Sequence, residues 1–133
     1  TIISVFAGTC FVVASNMCLP AFFNNIFYAN IMLPEIILAV GEIPIAPYAR
    51  PGTQDMGDVL RPHLKNARVI LLARHGALSW GESIEEAYDG MERLEHSSQI
   101  LKAAVELGGL TPLPDSDLEI LWKMRKVMGN KTR

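Results

Sequence analysis

The sequence predicts one domain, or part of one, in which helices pack on a β-sheet. Two patterns carry this prediction: residues 69–72 form a continuous apolar run, and apolar residues recur at helical spacing from Ile84 to Val105. The size of the chain agrees, because a domain of 133 residues with 50% hydrophobic content buries roughly two-thirds of its unfolded surface. The order of the segments predicts an α/β or α+β fold and says nothing yet about chemistry.

The N-terminal quarter of the chain is apolar and uncharged, since residues 1–34 contain no Asp, Glu, Lys or Arg. Residues 5–14 mix β-branched, aromatic and small side chains, so a buried strand and a buried helix both stay open. A membrane span needs about 20 mostly apolar residues. Five residues break every such window: Asn16, Pro20, Asn24, Asn25 and Asn30. We therefore expect buried strands and loops here in preference to a membrane span.

A short helix and an extended segment follow. The apolar residues 33–40 contain Pro34, which suits the first turn of a helix, and Gly41 can end that helix. Residues 43–48 contain two prolines, which cannot donate the hydrogen bonds of a strand ladder. We expect an edge strand or an extended connector at this point.

A second helix is predicted after the turn at residues 50–52. Thr53 can cap it, and Asp55 and Asp58 complement the positive end of its dipole. The helix should run to about Lys65, with Pro62 shortening or bending its end.

Residues 67–73 are predicted to form a strand buried on both faces, because residues 69–72 within it form a continuous apolar run that does not alternate with polar residues. The step Arg74-His75-Gly76 interrupts this strand, and residues 77–80 extend on its far side.

The C-terminal part of the sequence predicts two helices. Ser83 and Glu86 form a capping box at the start of the first. Its apolar positions are Ile84, Ala87, Met91, Leu94, Leu101 and Val105, and the pair Gly108-Gly109 ends it. A second box, Ser116 with Glu119, predicts the start of a last helix that reaches about Met128.

The charge balance argues against a nucleic-acid partner. Twelve basic side chains against fourteen acidic ones, with a pI near 5.9, leave no cationic excess for a phosphate backbone. The two cysteines, Cys10 and Cys18, lack the spacing of a zinc knuckle or a redox pair. We interpret them as buried thiols in a reducing compartment.

His75 is the candidate for a functional side chain, because the Gly76 that follows it can turn the side chain from the sheet end toward a cleft. The alternative is a hydrogen-bonded core histidine, since one histidine does not make a metal site and catalytic zinc needs three protein ligands. His63 and His96 do not supply the others, because packing or helix-end electrostatics explains each of them better.

Two further features have structural interpretations that we prefer. Tyr48 lies in a proline-stiffened segment and could donate a proton, but core packing with a hydrogen-bonded hydroxyl explains it better. Six acidic residues fall mainly on the polar face of the long helix, and we interpret them as a solvated face: Glu82, Glu85, Glu86, Asp89, Glu92 and Glu95.

Residues 33–127 resemble the class II aldolase/adducin family, and its L-fuculose-phosphate aldolase branch in particular. The resemblance rests on five short motifs that follow one another along the chain. They are Gly-Glu-Ile-Pro-Ile-Ala-Pro-Tyr at residues 41–48, Pro-Gly-Thr at 51–53, Leu-Leu-Ala-Arg-His-Gly-Ala-Leu at 71–78, Glu-Ala-Tyr at 86–88 and Leu-Glu-His at 94–96. No single motif is specific for the family, but their order and separations together make a chance match unlikely. We take residues 34–128 as the family-like region of one domain over 1–133, and residues 1–33 as a divergent apolar segment.

The resemblance implies a three-layer α/β/α fold, incomplete at its N-terminus, and a cytoplasmic homotetramer with active sites between subunits. It implies Zn²⁺ as the cofactor and His75 as a zinc ligand. It also implies that the metal stabilises the enediolate formed when a short sugar phosphate is cleaved to dihydroxyacetone phosphate and an aldehyde. Related folds carry epimerase, dehydratase and decarboxylase activities, so the substrate stays open.

The sequence departs from the family pattern at the other ligand positions. With the N-terminal segment registered on Phe11, the family's His-x-His step falls on Ile2 and Ser4, and its catalytic tyrosine falls near Leu33. The general base and the phosphate-binding loops would lie upstream of Thr1. The resemblance therefore implies an aldolase-type lyase, with a non-catalytic module like the adducin head as the alternative. A membrane-associated role for residues 1–33 is a third, weaker hypothesis.

Overall fold

A five-stranded mixed sheet with helices on both faces forms the fold. The computed structural model describes the backbone of residues 2–6 and 9–14 and the whole of residues 33–109 and 111–129. The strands are β1 (Ile2–Phe6), β2 (Thr9–Ala14), β3 (Ile45–Ala46), β4 (Val69–Leu72) and β5 (Gly76–Gly81). The helices are α1 (Pro34–Ala39), α2 (Gln54–Leu60), α3 (Ile84–Glu106) and α4 (Asp115–Val127).

The strand order is β1-β2-β5-β4-β3, with β3 parallel to β4 and every other pair antiparallel. Strand β3 has two residues and lies at the edge, as its prolines predict. The open question about residues 5–14 is answered in favour of strands, because they contain the end of β1 and all of β2. Residues 15–32, part of the segment where we expect buried strands and loops, lie outside the described residues, and Cys18 is among them.

Helices cover both faces of the sheet, which makes three layers. On one face, α1 and α3 pack on β4 and β5 around a core that includes Ile36, Val69 and Leu94. On the other face, α2 and the turn after it pack against Ile70 and Leu78. All four residues of β4 are buried, since neighbours cover both of its sides. The predicted α/β fold is confirmed.

The helix boundaries confirm some sequence predictions and correct others. Ser83 caps α3, because its Oγ accepts a hydrogen bond from the Glu86 N–H at 3.1 Å. The Glu86 carboxylate accepts from the Glu82 N–H at 2.8 Å and not from that of Ser83, so the box is displaced by one residue. Helix α2 begins after Thr53, but it ends at Leu60 and not near Lys65.

The predicted capping box at Ser116 is wrong. Helix α4 begins at Asp115 with Pro114 in the N-cap position and no side-chain cap. The Pro114 carbonyl accepts from the N–H groups of Asp117 and Leu118, so Ser116 already lies inside the first turn. The cap predicted for Thr53 is also absent, because its hydroxyl donates instead to the Arg50 carbonyl at 2.8 Å.

The buried side chain of Arg125 connects helix α4 to helix α1 through hydrogen bonds. The Arg125 guanidinium is 3% exposed and donates to the carbonyls of Ile37, Leu38 and Val40 at 3.3, 2.6 and 2.8 Å. These carbonyls belong to the last turn of α1, where a helix leaves acceptors unpaired and favours positive charge. Burial lowers the pKa of Arg125 through desolvation.

Among the described residues, no helix is long and apolar enough to cross a bilayer.

Candidate functional site

His75 lies in the tight turn that joins β4 to β5. The His75 N–H donates to the Leu72 carbonyl at 2.9 Å, and the ring Nε2 lies 2.9 Å from the Ala49 carbonyl. A carbonyl oxygen can only accept, so Nε2 is the donor and carries the hydrogen. In the neutral ring this leaves Nδ1 with the lone pair that a metal ion or a proton donor would need.

Backbone strain marks the same turn. Arg74 has φ 65°, and it is the one non-glycine residue with positive φ among the described residues. The left-handed conformation costs an L-residue about 1–2 kcal/mol. Gly76 follows with φ 116°, a value that glycine tolerates because it has no Cβ. The turn thus needs a glycine after His75, as the sequence predicts.

Tyr48 stacks on the imidazole, with ring centroids 5.5 Å apart and an interplanar angle of 18°. The Arg74 guanidinium lies 6.0 Å from the same phenol ring. Tyr48 is 56% exposed, so the expected core packing is wrong: the prolines hold the segment at the edge of the sheet, where the ring covers His75. The sequence analysis missed Ala49, whose carbonyl binds His75, because a backbone carbonyl leaves no signal in the sequence.

The other two histidines lie on other elements. His96 is exposed in the middle of α3, and His63 is half-buried in the turn after α2. The six acidic residues at the start of α3 and along it are exposed, which confirms the solvated face. Glu82 and Glu86 nevertheless approach Arg68, at 3.6 and 3.9 Å between nitrogen and oxygen.

The described residues alone do not fit a zinc ion. They contain no group of three His, Cys, Asp or Glu side chains that could hold a metal, and a catalytic zinc site needs three protein ligands. The positions of the expected His-x-His step lie on β1, where Ile2 pairs with Val13 and Ser4 pairs with Phe11. Leu33, at the expected tyrosine position, packs half-buried against the core.

Comparison with known proteins identifies the fold. The family described as "Class II Aldolase and Adducin N-terminal domain" matches residues 8–101. A 3-oxo-tetronate 4-phosphate decarboxylase of Pectobacterium atrosepticum is 34% identical over 68 residues, covering 51% of this chain and 31% of the relative. A 5-deoxy-D-ribulose 1-phosphate aldolase of Bacillus thuringiensis serovar kurstaki is 30% identical over 88 residues, covering 66% of this chain and 41% of the relative.

Solved structures agree with the sequence relatives. YgbL from Escherichia coli superimposes with a TM-score of 0.63 at 27% identity, covering 70% of this chain and 44% of that one. An L-fuculose 1-phosphate aldolase gives a TM-score of 0.65 at 21% identity, covering 88% and 55%. The match therefore spans about a third of the decarboxylase and about half of the aldolase structure. With a family match over most of its length and the same fold, the chain belongs to the class II aldolase/adducin family.

Proposed function

We propose that this chain is part of a class II aldolase-type lyase that cleaves a carbon–carbon bond in a short sugar phosphate. Our specific proposal is an L-fuculose-1-phosphate-like substrate that yields dihydroxyacetone phosphate and an aldehyde. The names of the relatives support a lyase that acts on a sugar phosphate. They include a 3-oxo-tetronate 4-phosphate decarboxylase and a 5-deoxy-D-ribulose 1-phosphate aldolase. The decarboxylase match makes loss of carbon dioxide the first competing reaction to test.

The observation that carries the proposal is the fixed orientation of His75. Its Nε2 is bound to the Ala49 carbonyl, one ring face is covered by Tyr48, and its backbone is held by the β4–β5 turn. A metal ligand is oriented in the same way, because a hydrogen bond at one ring nitrogen fixes the other nitrogen as the electron-pair donor. We propose His75 as one zinc ligand, through Nδ1.

This proposal needs at least two further ligands from outside the described residues. A zinc ion bound there would act as a Lewis acid on a substrate carbonyl. The chain's own groups contribute orientation: Ala49 holds the imidazole, and Tyr48 limits access of water to one face of the ring. Arg74, exposed beside them, adds positive charge that suits a phosphorylated substrate.

The test is the zinc content of the protein purified without chelator, compared between wild type, His75→Ala and His96→Ala. His96 is the matched control because it is an exposed histidine on α3, away from the β4–β5 turn. We expect near-stoichiometric zinc in wild type and His96→Ala and its loss in His75→Ala. Equal zinc in all three proteins, or none in any, contradicts the ligand assignment.

A second candidate function is a non-catalytic interaction module like the adducin head. The residues at β1 favour it, because Ile2 and Ser4 occupy the positions where the family carries its His-x-His step. The discriminating measurement is release of dihydroxyacetone phosphate, aldehyde or carbon dioxide from a panel of phosphorylated four- to six-carbon substrates. Turnover above background excludes this second function, and its absence in a zinc-free protein supports it.

The remaining parts of the proposal follow from the family. We propose that residues 1–133 are part of a single domain, that the protein assembles as a homotetramer, and that it acts in the cytoplasm. Sedimentation analysis tests the assembly, since a monomer would be incompatible with active sites built between subunits.

A further inference from the structure

Helix α4 has apolar side chains on two of its sides. One side lies against α1 and includes the half-buried Leu121 and Trp122 next to the buried Arg125. The other side carries four exposed apolar residues, at spacings of three and four that place them on one face of a helix. They are Ile120, Met124, Val127 and the C-cap residue Met128, which are 53, 47, 89 and 63% exposed. We call these four residues the α4 stripe.

The α4 stripe is a contiguous apolar surface on the outside of the protein. Single exposed apolar side chains are ordinary, but a contiguous row of them marks a contact with another molecule. The row is about 12 Å long at a rise of about 1.5 Å per residue, and its four side chains all stay exposed in the described part of the chain. The molecule that covers the α4 stripe therefore has to bring an apolar row of its own.

The charges of α4 indicate which surface is complementary to it. The first half of the helix carries Asp115, Asp117 and Glu119, and the second half carries Lys123 and Lys126, all of them exposed. Glu119 and Lys123 form an ion pair at 3.8 Å along the helix, but their side chains are still 75 and 77% exposed. A second α4 in antiparallel orientation sets each acidic half against a basic half, whereas a parallel one sets like charges together. The helix is therefore complementary to an antiparallel copy of itself.

We propose that α4 packs antiparallel on α4 of a second copy of this chain, with one α4 stripe against the other. A two-fold axis perpendicular to the helix generates this arrangement, in which the same residues meet from both sides. An axis that crosses α4 between Trp122 and Lys123 sets Glu119 level with Lys126 of the second copy. Burial of the apolar rows supplies the attraction, and the charges select the direction and register.

This contact is one interface of the homotetramer proposed above, and in that respect the inference rests on the proposed function. The contact requires neither zinc nor turnover, so the lyase activity and the contact can be tested separately.

The experiment is sedimentation equilibrium of the protein at low ionic strength, where the effects of charge are least screened. Glu119→Lys and Lys126→Glu each set like charges against one another across the axis, and the two-fold symmetry makes each change act twice. Each variant should therefore associate with itself about tenfold more weakly than wild type. An equimolar mixture of the two variants restores opposite charges across the axis, so it should associate to within about threefold of wild type. A folding defect in either variant does not produce recovery on mixing.

A second variant tests the apolar row itself. Met124→Glu buries a charge in the contact and should weaken self-association by at least about tenfold. Val105→Glu is the matched control, because Val105 is 53% exposed on α3 and lies outside the α4 stripe, and it should leave self-association within about twofold of wild type. Circular dichroism checks that both variants keep their helices.

The outcomes separate the contact from the rest of the proposed function. A wild-type protein that stays monomeric overturns the contact and the homotetramer together, and it assigns the α4 stripe to a different partner. An oligomer that no α4 variant weakens, or a mixture that does not recover, overturns the contact and leaves the homotetramer standing. Weakened association in the variants of a protein that has neither zinc nor turnover supports the contact and contradicts the lyase proposal.

Discussion

The two ends of the sheet are built in opposite ways. At the His75 end, the exposed Tyr48 ring and the strained residue Arg74 lie beside a half-buried imidazole whose Nε2 donates to the Ala49 carbonyl. At the Arg68 end, the buried Arg125 makes three hydrogen bonds to one helix terminus, while the carboxylates of Glu82 and Glu86 near Arg68 are exposed. The comparison teaches that substitutions at the Arg68 end should cost more stability than those at the His75 end.

The largest expected effect is at Arg125. Arg125→Met removes three hydrogen bonds and leaves the carbonyls at the end of α1 without that partner, which should destabilise the protein by about 3 kcal/mol. Urea unfolding measures this change, and Arg61→Gln is the control because that exposed ion pair contributes at most about 0.5 kcal/mol. A decrease in the free energy of unfolding of less than about 1 kcal/mol would mean that the Arg125 hydrogen bonds do not hold α4 against α1.

Gly90→Ala should cost about 2 kcal/mol, because the added methyl overlaps Ser79 Oγ in a packed interface between α3 and β5. Ser79→Ala in the same chain should recover part of that loss by removing the overlapped atom. Gly57→Ala is the matched control, since its nearest side-chain atom is 3.6 Å away in exposed helix α2, and it should stabilise by about 0.5–1 kcal/mol. Additive effects of the substitutions at Gly90 and Ser79 would refute the contact.

The two predicted capping boxes provide a paired test of about 1 kcal/mol. Ser83→Ala removes the acceptor for the Glu86 N–H and should lower the free energy of unfolding by that amount. Ser116→Ala should change it by less than about 0.5 kcal/mol, because Ser116 caps nothing. Equal losses for both variants would show that the sequence pattern, and not the observed start of α4, describes the helix correctly.

At the His75 end, Arg74→Gly should stabilise the protein by about 0.5–1 kcal/mol, since it relieves the left-handed strain at φ 65°. Arg74→Ala removes the same side chain and keeps the strain, so it should be less stable than the glycine variant. Thermal unfolding compares them. If the alanine variant is as stable as the glycine variant, the backbone at Arg74 is not strained.

The smallest effect concerns Tyr88, which lies on the exposed face of α3. Its hydroxyl donates to Glu92 at 2.8 Å, and this hydrogen bond and the Glu92 charge raise the pKa of Tyr88 above its usual 10.0. Since the folded pKa is the higher one, any stability from this contact is present below pH 10 and lost as the pH rises through the folded pKa. Absorbance titration should show a lower Tyr88 midpoint in Glu92→Gln, and an unchanged midpoint would contradict the contact.

Much of the fold could be predicted because it is encoded in local patterns. The apolar run of β4, the capping serine of α3 and the glycines after α1 and His75 each act within a few residues. The errors came from competition between neighbours. The Thr53 hydroxyl donates to the Arg50 carbonyl and therefore does not cap α2. The Pro114 carbonyl accepts the first hydrogen bonds of α4, so the helix begins before Ser116.

The candidate site divides in the same way. The sequence alone determined that His75 stands between a buried strand and a glycine, and that Ile2 and Ser4 cannot replace histidine ligands. Only the tertiary structure decided that Tyr48 covers the imidazole, that Ala49 fixes its tautomer, and that Arg68 and Arg125 share one cleft. The hydrogen bonds of His75 and Arg125 join residues 26 to 88 positions apart. No local pattern encodes such distances, because the packing of the layers brings the residues together.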